Sequence, residues 1–420
     1  MSAPPVEIAS PRIAGSSRDL RGTMLLFALA GLIVLVFVLP TSDRVANVGL
    51  NSGASLIELP TLHLAARTTC LVLAGLCGLL GLLRSVGIIA RYNALALSGG
   101  VACFVCALVV SAAAGHSFNL VFFLQVALES SVPLVLGALA GIIGERAGVI
   151  NVAIEGQMLL GAFVGVVVGS SIGRAGGVGA ALLAGGVSGL LLAVYAIRYR
   201  VDQIIIGIVL NILFLGTTNF LYDTILTQHP SLNTVSPFSS IAIPGLKEIP
   251  LVGPVLFEQG FFGYVALLLV VILTFALMRT RWGLRVRAVG EHPHAADAVG
   301  INVNRTRYIN VMLGGMIAGF AGSYLSVGLI GAFNPNMTSG IGFIALGVLM
   351  VGRWRPGGAL AAALIFGLAE ALEQLLSTLG SSIPSNLLLT IPYVVTIVVV
   401  AMGGGRIRPP AADGLLFTKE

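Results

Sequence analysis

The sequence predicts an all-α polytopic membrane protein of about twelve transmembrane helices, some short or broken, with both termini in the cytoplasm. Three observations carry that prediction. Only 10% of the 420 residues are charged and 57% are hydrophobic, whereas soluble domains run at about a quarter charged. Mean hydropathy is +1.00. Runs of roughly 20 apolar residues, the length that crosses a bilayer, recur along the chain. An ordinary soluble enzyme and a disordered chain are both excluded.

The spans follow in order. Met24–Pro40 comes after a basic stretch but lacks a small-residue cleavage site, so it reads as an uncleaved span rather than a signal peptide. Leu64–Leu83 and Ala94–Ala114 carry Cys70, Cys77, Cys103 and Cys106 inside apolar runs. No disulfide framework follows from that placement, and such thiols pack as small hydrophobes. Leu120–Ile143, Ile150–Gly169, Val178–Ile197 and Gln203–Leu226 come next. Phe261–Met278 follows an outer segment, Thr227–Gly260, that holds five prolines. Ile309–Ala332 follows the richest polar segment of the chain, Arg279–Tyr308. Ser339–Gly352 is too short to cross at 1.5 Å per residue and is expected to be a broken or re-entrant helix. Gly358–Ser377 and Ser385–Met402 complete the set.

Orientation comes from the basic residues. With the N-terminus inside and the spans alternating, 19 of the 23 fall on the cytoplasmic side, leaving Arg44, Arg67, Arg174 and Lys247 outside. The net charge of +6 is scattered between apolar runs rather than gathered on one domain, which excludes a nucleic-acid partner. Glycines four apart, at Gly161/Gly165/Gly169, Gly137/Gly141, Gly185/Gly189 and Gly315/Gly319, let helix backbones approach closely in lipid. A static bundle and a sliding transporter use that spacing equally.

Polar groups inside spans are costly and mark either interhelical hydrogen bonds or a watery path. Glu129 sits mid-span, Glu370 and Glu373 share one helical face, and Asn211, Asn219 and Asn310 add neutral hydrogen-bonding groups. Phe123, Phe214, Phe333 and Phe343 are aromatic candidates for stacking on a flat ring, or ordinary core. In the polar segment, His294 to Gly300 suits a short helix ended by glycine. His292 and His294 lack the companions a metal site needs. The chain contains no phosphate-binding G-x-x-x-x-G-K-[ST] loop and no H-E-x-x-H or G-x-S-x-G motif. It is therefore not expected to be an enzyme or to hydrolyse ATP itself.

Two long motifs then stand out. They are Gly144-Glu-Arg-Ala-Gly-Val-Ile-Asn-Val-Ala-Ile-Glu-Gly-Gln-Met and Trp282-Gly-Leu-Arg-Val-Arg-Ala-Val-Gly-Glu-His-Pro-His-Ala-Ala-Asp-Ala-Val-Gly-Ile. With Asp202–Asn211, Ile249–Pro254 and Gly340–Pro356, they resemble the ABC-importer permeases of the ribose, simple-sugar and nucleoside branch, a branched-chain amino acid-like family, and most nearly its nucleoside-uptake members. The resemblance covers about Leu120–Met402.

The resemblance implies a permease subunit that moves a nucleoside or simple-sugar-type solute into the cytoplasm by alternating access. It implies an ABC ATPase carrying ATP and Mg on that partner, with no cofactor on this chain. It also implies a second related permease that completes a heterodimer, an extracellular solute-binding lipoprotein, and the plasma membrane of a prokaryote. The coupling loop it implies runs over residues 279–308, with Arg285, Arg287, Glu291, His292, His294, Ala295, Ala296, Asp297 and Gly300 facing the ATPase. His294 stands where the general permease signature has glutamate. Path candidates are Glu129, Asn151, Glu155, Gln157, Asn211, Phe333, Phe343, Glu370 and Glu373.

The chain then divides into an N-terminal tail (1–23), three additional helices (24–114), the permease core (115–402) and a C-terminal tail (403–420). The rival reading is a proton-coupled carrier with Glu129, Glu370 and Glu373 as its relay. The longest cytoplasmic loop falls after the eighth span rather than midway, which counts against it.

Overall fold

The computed structural model describes residues 17–39, 43–51, 59–88, 93–379, 385–388, 390–391, 393–394 and 408–418. Most of the predicted N-terminal tail, and Ser385–Met402 beyond its first turns, therefore lie outside the described residues. Among the described residues, eight helices are long and apolar enough to cross a membrane, and three more apolar helices, Gly22–Val38, Ala96–Ala112 and Ile341–Val351, are shorter. The chain is a multi-pass membrane protein built in two compact units.

The smaller unit holds helices α1 (Ser17–Ile33), α2 (Ala66–Ser85) and α3 (Asn93–Ala112). Helix α1 continues into a π-helical turn over Val34–Val38. Leu26, Ile33, Phe37, Cys70, Ala74 and Cys77 are buried between the helices. The Cys70 thiol donates to the Ala107 carbonyl and the Cys77 thiol to the Leu26 carbonyl, so both act as small packing groups with a weak donor. All four cysteines are free. Strands β1 (Val45–Gly49), β2 (Leu62–Ala65) and β3 (Ser117–Asn119) form a small sheet in the order β2-β1-β3. β1 runs antiparallel to β2 and parallel to β3.

The larger unit is organised around α4 (Leu120–Arg146), a 27-residue helix buried without a break from Ser131 to Glu145. A non-helical stretch, 147–153, leads into α5 (Ile154–Ile172), α6 (Arg174–Ala193) and α7 (Gln203–Leu221), the last two extended by π-helical turns at Val194–Arg198 and Tyr222–Leu226. The proline-bearing segment holds α8 (Val252–Phe257) and a two-residue hairpin of β4 (Ile241–Ala242) with β5 (Glu258–Gln259). Then come α9 (Phe261–Arg279), α10 (Arg281–Glu291), α11 (Pro293–Ala298) and α12 (Val303–Ser323), which ends in a π-helical stretch over Tyr324–Ile330. Helices α13 (Ile341–Val351), α14 (Pro356–Thr378) and α15 (Ser385–Leu388) follow.

The four-residue glycine spacing is used by α5, α6 and α12. A Cβ at Gly185 would strike the Gly315 carbonyl, and one at Gly161 the Gly319 carbonyl, so these helices meet backbone to backbone. Helix α14 crosses α4 in the same way, with Gly367 against the Ala127 carbonyl. The broken helix foreseen at Ser339–Gly352 is α13, whose 11 residues give about 16 Å of rise.

Candidate functional site

The polar segment after α9 folds into a short helical platform, and three side chains cap its helices. The Thr280 hydroxyl accepts from the Gly283 N–H (3.2 Å) and starts α10. A Cβ at Gly283 would collide with the Ala276 and Leu277 carbonyls, so glycine is what lets α10 fold back onto α9. His292 leaves the helix with φ −150°. Its Nδ1 accepts from the Ala295 N–H (3.2 Å), with Pro293 at the first position of α11. The Asn302 side chain accepts from the Arg305 N–H (2.9 Å) and starts α12.

Val286, Val289, Gly290 and Ala296 turn inward. Arg285, Glu291, His292, His294, Ala295 and Gly300 are exposed, while Arg287 and Asp297 are half-buried. Gly300, at φ +84°, closes α11 in a conformation that suits glycine. Arg287 donates through Nε to the Gly283 carbonyl within its own helix.

Two sequence motifs meet beside this platform. Trp354 donates through Nε1 to Glu145 (2.5 Å), and Arg146 donates through Nε to the Trp354 carbonyl (2.9 Å). The turn they clamp contains two consecutive non-glycine residues at positive φ, Arg353 (+54°) and Trp354 (+53°). Such backbone persists only where its surroundings hold it. Gly290 lies directly on the Arg146 carbonyl. Asp413 reaches the same cluster; burial pushes its carboxyl up to about 7, while the Arg307 guanidinium opposes that rise.

Further along the first motif, the path candidates divide into braces and free groups. Glu155, in the first turn of α5, accepts from the Gly340 (2.8 Å) and Gly342 (2.6 Å) N–H groups at the start of α13. The carboxylate satisfies donors that a helix start leaves unpaired and complements its dipole. Asn211 on α7 accepts from the Gly156 N–H and donates to the Val152 carbonyl. Asn151 donates to Gln157 Oε1 and accepts from the Ala153 N–H. Gln203 accepts from the Ile150 N–H. The break before α5 is thus hydrogen-bonded from both flanks. Gln157 is fully buried, and its Nε2 has no partner.

The glutamates lie elsewhere. Pro133 removes the N–H that would bond the Glu129 carbonyl, and the Tyr324 hydroxyl donates to that carbonyl instead (3.1 Å). Tyr324 also stands in the field of the Glu129 and Glu370 carboxyls, and Glu370 in that of Glu373. Glu129 is exposed; Glu370 and Glu373 are half-buried. Phe333 is wholly buried, edge-on to Phe163 at 5.2 Å, and Phe123 and Phe214 are buried as well. Phe343 on α13 is half exposed. Among the described residues, no three His, Cys, Asp or Glu gather to hold a metal.

Residues 123–401 match the model of the branched-chain amino acid transport system / permease component family. The chain belongs to this family. The guanosine ABC transporter permease protein NupQ of Bacillus subtilis is 39% identical over 302 residues, covering 70% of this chain and 95% of NupQ. The nucleoside ABC transporter permease protein NupC of Lactococcus lactis is 34% identical over 318 residues, covering 72% and 99%. The putative glucose ABC transporter permease protein TsgC13 of Haloferax volcanii is 34% identical over 268 residues, covering 63% and 80%. No solved structure matches the chain. The protein is an ABC transporter permease subunit, a transport component rather than an enzyme, and that role implies an ATPase and a binding protein as partners.

In the permease, sequence reasoning missed the caps Thr280 and Asn302, the Tyr324 hydroxyl and the C-terminal contacts. The two caps carry a local signal, a Thr or Asn just before a helical run. Tyr324 had an indirect one, since Pro133 inside an apolar run announces an orphaned carbonyl four residues earlier.

Proposed function

We propose that this permease moves a nucleoside, or a related simple-sugar-type solute, into the cytoplasm of a prokaryote by alternating access. About twelve spans with both termini cytoplasmic would place residues 279–308 beside an ATPase that carries ATP and Mg. The observation that carries this reading is the capped α10–α11 platform, seated on the cluster where Glu145, Arg146 and Trp354 meet. It offers an external motor a rigid handle outside the spans. Arg285, Glu291, His292, His294, Ala295 and Gly300 supply the exposed face of that handle, with Arg287 and Asp297 at its edge and Ala296 packed behind.

The solute class comes from the relatives, whose names specify guanosine, nucleosides and glucose. Exposed Glu129 and half-buried Glu370 and Glu373 support a second permease on that face, because a carboxyl at mid-span is costly in lipid (~2.5–3.5 kcal/mol on insertion scales). A binding lipoprotein would deliver solute from outside.

Proteoliposomes holding the whole complex test this reading with labelled guanosine. Uptake should require ATP, persist with a protonophore present, and fall when unlabelled nucleosides compete. Uptake lost with the protonophore would support the proton-coupled carrier instead, and competition by glucose but not nucleosides would correct the solute.

A further inference from the structure

The C-terminal segment Arg408–Thr418 is held in place by contacts with several distant parts of the fold, and the proposed function does not use the segment itself. Ala412 donates its N–H to the Gly290 carbonyl (2.8 Å) at the end of α10, and the Ala411 N–H reaches the Glu291 carboxylate (3.3 Å). Arg307 on α12 donates to the Leu415 carbonyl (2.9 Å). Phe417 is buried with Val289, Ala296 and Val303, its ring 5.1 Å from that of His294 on α11. Gly414, at φ +75°, presses against Ile150, where a Cβ would come within 2.8 Å of its side chain. The Asp413 carboxyl stands beside that of Glu145, the same carboxyl that holds Trp354. The Trp354 N–H in turn donates to the Leu349 carbonyl near the end of α13 (3.2 Å).

We propose that Arg408–Thr418 is a transmission strap, tying the α10–α11 platform to the Glu145–Trp354 clamp at the foot of the broken helix α13. The proposal rests on the reading that the ATPase engages this platform. Helices α9 and α12 join the platform to the spans covalently. Val303 and Arg307 of α12 steady Phe417 and Leu415, while the link from Asp413 to Glu145, Trp354 and α13 runs through the C-terminal segment itself. Phe417 and Asp413 are then positioning residues: they touch no solute and no nucleotide, and they set how far a displacement of α11 reaches α13. A contact chain of this kind is a claim about coupling, so its test must read coupling separately from assembly.

The test uses the full complex of permease, ATPase and binding protein in proteoliposomes. In a background without native cysteines, the pair His294→Cys and Phe417→Cys should cross-link on mild oxidation. Phe417→Ala should keep the ATPase at wild-type stoichiometry and keep basal ATP hydrolysis, while solute uptake per ATP falls at least about fivefold, the lower range of allosteric coupling. Phe417→Leu, which restores an apolar plug, should recover most of the uptake. Absence of the cross-link, or wild-type uptake in Phe417→Ala, overturns the strap. Loss of the ATPase in Phe417→Ala also overturns it, because the segment would then be part of the docking surface. Ala295→Trp on the exposed side of α11 tests the underlying reading separately. If the ATPase stays bound and active beside that bulky residue, the platform is not its docking site, whatever Phe417 does.

Discussion

Two single groups carry more structural weight than their neighbours. Glu155 bridges α5 to α13 by accepting both the Gly340 and Gly342 N–H groups. Glu155→Ala leaves two donors without their partner and removes a charge from a helix start. The expected loss is about 2–4 kcal/mol, seen as a lower melting temperature of the detergent-solubilised protein, with Glu155→Gln intermediate. An unchanged melting temperature in Glu155→Ala would contradict the brace. Tyr324 and Pro133 form a compensating pair across α12 and α4. Tyr324→Phe alone should cost about 1 kcal/mol, because the Glu129 carbonyl loses its donor. Pro133→Ala restores an N–H within α4, so in that background the same Tyr324→Phe change should cost less. The melting temperatures of the four proteins form a double-mutant cycle, and strict additivity would rule out the compensation.

At the scale of elements, the caps and glycines decide which helices form and how near they lie. His292→Ala removes the α11 cap and should weaken the platform by about 1 kcal/mol, whereas His292→Asn keeps an acceptor and should be nearly neutral. Proteolytic nicking between Glu291 and Ile301 reports the difference, and equal nicking of the two variants would dismiss the cap. Gly319→Leu forces a side chain into the Ala181 carbonyl and should abolish a stable α5–α6–α12 packing, read as loss of the monodisperse peak in size-exclusion chromatography.

Much at this scale was legible in the sequence. Lipid imposes a length and an apolar composition on each span, so the eight long helices stand out, as does the shortness of α13. The four π-helical stretches were not, because one residue inserted into an apolar helix changes no local pattern. The small sheet β2-β1-β3 was missed for a related reason: its strands are three to five residues long, too short to show a period. The candidate site was half legible. The platform and its motif were visible as a polar segment with a glycine stop. Glu155 and Asn211 looked like lining of a path, yet their partners are backbone groups that only the fold brings near.

At the scale of the whole molecule, the proposed drive passes through the junction of platform and spans, where the Asp413 carboxyl titrates beside that of Glu145. Asp413 has a raised carboxyl, at about 7, because it is buried. A raised value means the folded state binds a proton that the unfolded chain has released above its ordinary value of about 3.9. Seating of the C-terminal segment is therefore favoured at acidic pH and weakens as pH rises through about 7. Protease release of residues 408–420 should increase between pH 6 and pH 8, and Asp413→Asn should flatten that dependence; a flat wild-type profile would contradict it.

The central claim is that this ABC permease is driven at the α10–α11 platform. A photo-reactive amino acid at position 295, on the exposed side of α11, tests it in the assembled complex. Capture of the ATPase subunit from that position is the predicted result. An intact, active complex in which position 295 captures no ATPase would contradict the account.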